Sequence, residues 1–235
     1  MMFAFSPCSR RSLLSVVLLV SAGLLPWGPV YAQQPNAPAI EALKAAAQAF
    51  QEGQEARAWD LYLPQAPAFR QHWTSLDSDF VIWVADQHRR HKEYKEAVAI
   101  ADMVLAARRM NPEQTARLRL IKGDTYRDQQ NYAAAKLEYE SLDRDRDLRN
   151  TGAGKAARFR VVDILRLTRD FDGADMLIER LKDAPELAAQ AEAYYLAARI
   201  AFDREDYAEA RANLIEVKKR VPEHVEAVFL EAEAE

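Results

Sequence analysis

The sequence predicts an all-α protein, an α-solenoid of stacked antiparallel helix pairs that follows an N-terminal signal peptide. The 235-residue chain contains only 7 glycines, too few for a turn-rich β-protein. Its dominant residues, alanine, leucine, glutamate and arginine, lose little side-chain entropy in a helix. The second observation is a repeat: an aromatic residue, two further residues and an alanine recur at the start of four apolar-periodic segments.

Residues 1–32 have the pattern of a secretory signal peptide. Two arginines precede an apolar run, Leu13 to Leu25, and the small residues Val30 and Ala32 follow it. Because this run is short for a bilayer span, we expect cleavage after Ala32 and a mature chain that starts at Gln33 and has no membrane span. An uncleaved membrane anchor is the alternative.

Charge and cysteine content narrow the class of protein. Cleavage removes two arginines and no acidic residue, which leaves 30 basic and 36 acidic residues and changes the formal net charge from −4 to −6. That sign argues against a nucleic-acid partner. The sole cysteine, Cys8, lies in the removed segment, so the mature chain has no disulfide or thiol chemistry. We therefore expect a periplasmic or secreted protein.

The repeats occupy residues 78–222 and form about four helix pairs. The second helix of each pair begins in KEYKEAVAIADMVL from Lys92, QNYAAAKLEYESL from Gln130, RDFDGADMLIERL from Arg169 and EDYAEARANLIEV from Glu205. The repeat alanines, Ala97, Ala135, Ala174 and Ala210, lie 38, 39 and 36 residues apart. A fainter copy surrounds Ala58, another 39 residues upstream. A helical stretch precedes each copy, so the repeating unit is a helix pair.

The second copy resembles the tetratricopeptide repeat (TPR) family, in which helix pairs stack into a right-handed superhelix. Gly123, Tyr126, Tyr132 and Ala135 match that family's pattern there. In the last copy the matching residues are Tyr207, Ala210 and Pro222. The spacing is longer than the family's usual period of about 34 residues. The glycine position also holds other residues elsewhere, namely Ala85, Val162 and Ala198.

The two ends of the array depart from the regular pattern. Residues 33–77 are predicted to form an irregular N-terminal helix pair or cap, because Pro64 and Pro67 interrupt the segment. Residues 223–235 have the register of a new first helix. This segment is either a polar cap or the start of a further pair, since solenoid ends need a polar cover.

The segment DRDRDLRN, residues 143–150, places three aspartates at alternate positions, as a calcium loop does. Such a loop needs glycine at its sixth position and a bidentate glutamate at its twelfth, where this chain has Leu148 and Gly154. We interpret the segment as a solvated connection between repeats, without a metal. His88 and His91 have arginine and lysine neighbours and are interpreted as a surface basic cluster. No catalytic motif or cofactor site is recognised.

A polar ladder recurs on the first helix of three pairs. Asp86, Asp124 and Asp163 lie eleven residues before the repeat alanine, and Arg89, Arg127 and Arg166 lie three residues further on. Residues at this spacing share a helix face. The resemblance implies that this face lines the concave groove together with Ile82, Leu120, Phe159 and Tyr195. The fourth copy has Arg199 and Phe202 at the ladder positions.

These residues are the candidate partner-binding site, and two interpretations of the ladder stand. It either contacts a polar or mixed-charge partner, or its ion pairs neutralise one another. We expect a non-enzymatic scaffold for protein–protein interactions in the bacterial cell envelope, with a peptide or protein partner in the groove and no cofactor. The alternative is the N-terminal periplasmic TPR portion of a larger outer-membrane, secretion or polysaccharide-export protein. Oligomeric state is left open.

Overall fold

The structure, a computed structural model, describes residues 37–233, so the signal-peptide prediction lies outside it. Within this range the chain is all-helical, which confirms the predicted fold class. The α-helices are α1 (Ala37–Gln51), α2 (Glu55–Tyr62), α3 (Ala66–His72), α4 (Ser78–Arg90), α5 (Tyr94–Ala107), α6 (Pro112–Asp128), α7 (Tyr132–Arg144), α8 (Gly152–Leu167), α9 (Phe171–Lys182), α10 (Leu187–Asp203), α11 (Tyr207–Arg220) and α12 (Val225–Glu233).

The helices from α4 to α11 stack as pairs of a first and a second helix. Each first helix packs against the second helix of its own pair and against the first helix of the next pair. The apolar core therefore extends along the stack from pair to pair. The repeat alanines are buried at these crossings, as the pattern predicts, with 1% exposure or less at Ala97, Ala135, Ala174 and Ala210.

The turn inside each pair has one conformation throughout the stack. Its central residue has a positive φ, and the residue after it donates its backbone N–H to a carbonyl five positions earlier, as in a Schellman motif. The positive-φ residues are Gly53, Lys92, Gln130, Arg169 and Glu205. Their spacing equals that of the repeat alanines. The pair α1 and α2 therefore follows the same register, although its turn alone uses glycine.

The N-terminal pair is irregular after α2. Short 3₁₀ turns at Leu63–Gln65 and Trp73–Ser75 flank α3, and a proline stands in the first turn of both the first 3₁₀ segment and α3. Proline fits at that position because the first N–H groups of a helix lack an intrahelical partner. Tyr62, at the end of α2, and Phe69, in α3, are both buried in the apolar cluster that includes α4.

The DRDRDLRN segment connects α7 to α8 and is closely packed at one point. Leu148 is buried, and a Cβ on Gly154 would overlap the Leu148 carbonyl oxygen and lie 2.9 Å from Arg149 Cα. Asp143 pairs with Arg158 at 2.7 Å, and Asp145 accepts the Asp147 backbone N–H at 2.9 Å. The charged side chains lie outside, and Leu148 anchors the connection to the core.

None of the helices between residues 37 and 233 has both the length and the apolar character of a membrane span.

Candidate partner-binding face

The first helices of the stack present a row of apolar side chains at one register. Ile82, Leu120, Phe159 and Tyr195 each lie fifteen residues before the repeat alanine of their pair. Ile82 is fully buried, whereas the other three are half-buried. We name Leu120, Phe159 and Tyr195 the apolar row. It crosses α6, α8 and α10 and is the accessible apolar part of the predicted face.

The ladder residues lie beside the row and are bonded to one another. Arg89 Nε donates to Asp86 Oδ1 at 2.9 Å, within α4, and Arg90 takes the other Asp86 oxygen at 2.7 Å. A second guanidinium nitrogen of Arg89 donates to Asp128 Oδ2 on α6 at 2.7 Å. Arg89 therefore joins the first helices of two successive pairs.

The middle step of the ladder is built around Asp124, which is buried. The Tyr139 hydroxyl donates to Asp124 Oδ1 at 2.7 Å, and Arg127 lies 3.5 Å from the same oxygen. Arg160, on α8, approaches it at 3.2 Å. Arg127 also contacts Asp128 at 3.3 Å. The carboxylate of Asp124 thus accepts contacts from three helices.

The third step repeats the geometry of the first. Arg166 donates to Asp163 Oδ1 at 3.1 Å within α8 and to Asp203 Oδ2 on α10 at 2.6 Å. Arg199, which breaks the predicted pattern in the fourth copy, lies 3.5 Å from Asp163. Each ladder step therefore has a contact that reaches a neighbouring first helix.

Burial and charge pairing act in opposite directions on these arginines. Burial disfavours the charged guanidinium of Arg166, but hydrogen bonds and attraction from Asp203 and Asp163 keep its pKa above the ordinary arginine value. The same balance raises the pKa of Arg89 beside Asp128 and Asp86. Both arginines are therefore charged at neutral pH, and the carboxylates that balance them belong to the same chain. Of the two interpretations of the ladder, these contacts favour mutual neutralisation.

Sequence reasoning missed the inter-helix partners Asp128 and Asp203. Both lie seven residues before the repeat alanine of their pair, and this shared position could have indicated that they have the same role. The equivalent position holds Leu167 in the third pair. Because this position is apolar in the third pair, Arg127 has no acidic partner there. It contacts Asp128 on its own helix instead.

The interpretation of His88 as a surface residue is wrong. Its ring is buried, lies 2.8 Å from the Tyr62 hydroxyl through Nε2, and contacts the Glu93 carboxylate through Nδ1. His91 stacks on Trp59 with ring centroids 4.9 Å apart. The reason is that α2 covers this end of α4, which the spacing within α4 alone does not show.

Among residues 37–233, no group of three or more histidine, cysteine or acidic side chains is arranged to hold a metal ion. In DRDRDLRN, Asp143 faces Arg158 and Asp145 closes a turn, so the three carboxylates are not gathered around one point.

No protein-family model matches the chain. No curated protein matches it. A solved structure of PilF from Pseudomonas aeruginosa is similar at 18% sequence identity, covering 83% of this chain and 99% of that one, with a TM-score of 0.46. The stacked helix pairs themselves define the class of this protein, a TPR-like helical-repeat protein.

Proposed function

We propose that this protein is a non-enzymatic scaffold that holds a peptide segment or protein partner against the apolar row. The observation that carries the proposal is the repetition of a half-buried apolar side chain at one register of α6, α8 and α10. Aromatic side chains in such positions supply much of the energy at protein interfaces. The charged side chains of the neighbouring ladder are already paired within the chain, so the ladder forms the border of the row.

The row becomes more polar toward α10, which favours a partner segment with both apolar and polar side chains. Tyr195 lies beside His224, with ring centroids 5.0 Å apart, and the Arg199 guanidinium lies 5.8 Å from the Tyr195 ring. Burial raises the pKa of Tyr195, so its hydroxyl is protonated at neutral pH and is available to donate a hydrogen bond. Leu120 and Phe159 have no such polar atoms.

The proposal places the mature protein in the bacterial cell envelope, on the support of the signal-peptide pattern in residues 1–32. It assigns no reaction to the chain. The contact series from Tyr62 through His88 to Glu93 has the form of a proton relay, but Tyr62 and His88 are 1% and 3% exposed. A substrate would have no access to the hydroxyl or the imidazole.

Site-specific photo-cross-linking in the host cell tests the proposal. A photoreactive phenylalanine analogue replaces Phe159 in one variant and Lys95, an exposed residue of α5, in the control. We expect Phe159 to give one dominant cross-linked product in the envelope fraction and Lys95 to give none. Equal products from both positions, or none from Phe159 and a matching Leu120 variant, would contradict the proposal.

A further inference from the structure

Away from the apolar row, a groove lies between the second helices α7 and α9, and α8 forms its floor. We name it the α7–α9 groove. It encloses about 480 Å³, and its apolar lining comes from Val161, Leu177 and Leu181. That volume lies within the range of about 300–1,000 Å³ typical of ligand pockets.

The α7–α9 groove is separate from the face of the apolar row. On α8, Val161 and Arg158 line the groove, whereas Phe159 and Asp163 belong to the row and the ladder. Positions 158 and 161 share one side of a helix, and positions 159 and 163 share another. A ligand in the groove would therefore leave the apolar row free.

Three arginines rim the groove, and one of them has no counter-ion within residues 37–233. Arg144 pairs with Glu140 at 3.0 Å, and Arg158 pairs with Asp143 at 2.7 Å. Arg180 is exposed and has no acidic side chain within ion-pair distance among the described residues. Within the part of the chain that the structure describes, the rim thus has one uncompensated positive charge, although the chain as a whole is acidic.

The surface beside the groove also carries an exposed apolar side chain. Leu137 of α7 is 63% exposed. It lines a neighbouring cavity with Arg144, the residue that also forms part of the groove's rim. Arg144 therefore lies between the groove and the exposed Leu137 side chain, and a bound peptide could contact both.

We propose that the α7–α9 groove binds a short peptide segment of a partner protein in which an acidic residue stands next to a large apolar one. The apolar side chain packs against Val161 on the floor and against Leu177 and Leu181 on the α9 wall, and the carboxylate pairs with Arg180. A guanidinium suits this role because it binds a carboxylate through two parallel hydrogen bonds.

Selection from a random linear peptide library displayed on phage, with the purified chain as the target, tests the groove. We expect the enriched peptides to share an aspartate or glutamate adjacent to leucine, isoleucine or phenylalanine. Their affinity should fall about tenfold or more in Arg180→Glu and less in Arg180→Gln, because reversal adds repulsion to the lost pair. The matched control is Arg211→Glu on α11, whose guanidinium donates to a backbone oxygen and has no acidic partner among the described residues.

A charge exchange makes the test specific. A peptide with lysine in place of its acidic residue should bind Arg180→Glu better than the unaltered chain. Enriched peptides without an acidic residue, no enrichment, or equal affinity for the unaltered chain and Arg180→Glu would each overturn the proposal. The proposal would also be overturned if no peptide were selected and the chain bound phosphatidylglycerol vesicles in a way that depends on Arg180. The groove would then face a membrane.

Discussion

Gly123→Ala is the substitution for which the structure reverses the ordinary expectation. Replacing glycine by alanine inside a helix usually stabilises it by about 1 kcal/mol. At this position the added Cβ would lie 2.8 Å from Tyr139 Cδ1 and 3.1 Å from Cζ, and closer still to Cε1. Tyr139 is fully buried, so its ring can move only by displacing the residues packed around it.

The expected magnitude follows from two losses. Overpacking costs about 1–3 kcal/mol. A displaced ring also weakens the hydrogen bond from the Tyr139 hydroxyl to Asp124, and hydrogen bonds to charged groups contribute about 1.5–3 kcal/mol. After the gain in helix propensity, we expect Gly123→Ala to lower the free energy of unfolding by about 2–3 kcal/mol.

Urea unfolding followed by circular dichroism measures this difference. Gly152→Ala is the control, because its Cβ would meet only Glu113 Oε1, at 3.4 Å. The next pair has Val162 and Ile178 at the positions equivalent to 123 and 139. Tyr139→Ile should therefore make Gly123→Ala less costly, with a coupling of about 1 kcal/mol or more. A Gly123→Ala chain as stable as the unaltered one would refute the reasoning.

Further predictions concern the turns, the buried rings and the N-terminus. Gly53→Ala should lower the free energy of unfolding in urea by about 1 kcal/mol. The reason is that φ at this residue is +75°, and no atom lies within 4 Å of the added Cβ to offset the strain with a new contact. Unchanged stability would contradict the left-handed conformation assigned to this turn. Tyr62→Phe leaves His88 Nε2 buried without a partner and should cost about 1–3 kcal/mol by the same measurement, and a neutral effect would contradict the assigned contact. Burial raises the pKa of Tyr139 in the folded chain above its value in the unfolded chain. The contribution of this shift to the free energy of unfolding is therefore complete below a pH of about 10. It is lost as the pH rises further, because the unfolded chain releases the proton first. Unfolding free energy should fall less steeply above that pH in Tyr139→Phe, and equal slopes would exclude this titration. Mass analysis of the exported chain should find Gln33 as the first residue, and a chain that retains residues 1–32 would disprove cleavage.

Sequence reasoning reached the helix pairs because their signal is local and repeated. The aromatic residue and the alanine of each second helix, such as Tyr132 and Ala135, stand at fixed offsets and are sufficient to locate the turn before them. The left-handed turn residues follow the same spacing, but four of the five are not glycine, so composition did not reveal them.

The contacts between helices were harder to predict. The spacing of Asp163 and Arg166 predicts their pairing within α8, but the bond from Arg166 to Asp203 depends on how α8 and α10 are staggered. Burial of His88 depends on Trp59 and Tyr62 of α2, whose packing against the end of α4 the repeat pattern does not describe. The α7–α9 groove has no sequence motif, because its lining comes from three helices.

The ladder joins successive first helices, and we propose that the apolar row binds the partner. Arg166→Met tests both parts in one chain, with the photoreactive analogue at position 159 and Arg211→Met as the control. Arg166 is 11% exposed and Asp203 is 33% exposed. Removing one partner of a fully buried pair costs about 3–5 kcal/mol, and the exposure of Asp203 reduces the expected loss to about 2 kcal/mol.

Cross-link yield at position 159, measured well below the melting temperature, is the deciding quantity. We predict a less stable Arg166→Met chain whose cross-link yield equals that of the Arg211→Met control. A chain of unchanged stability that no longer cross-links its partner would contradict it, because Arg166 would then contact the partner and not Asp203.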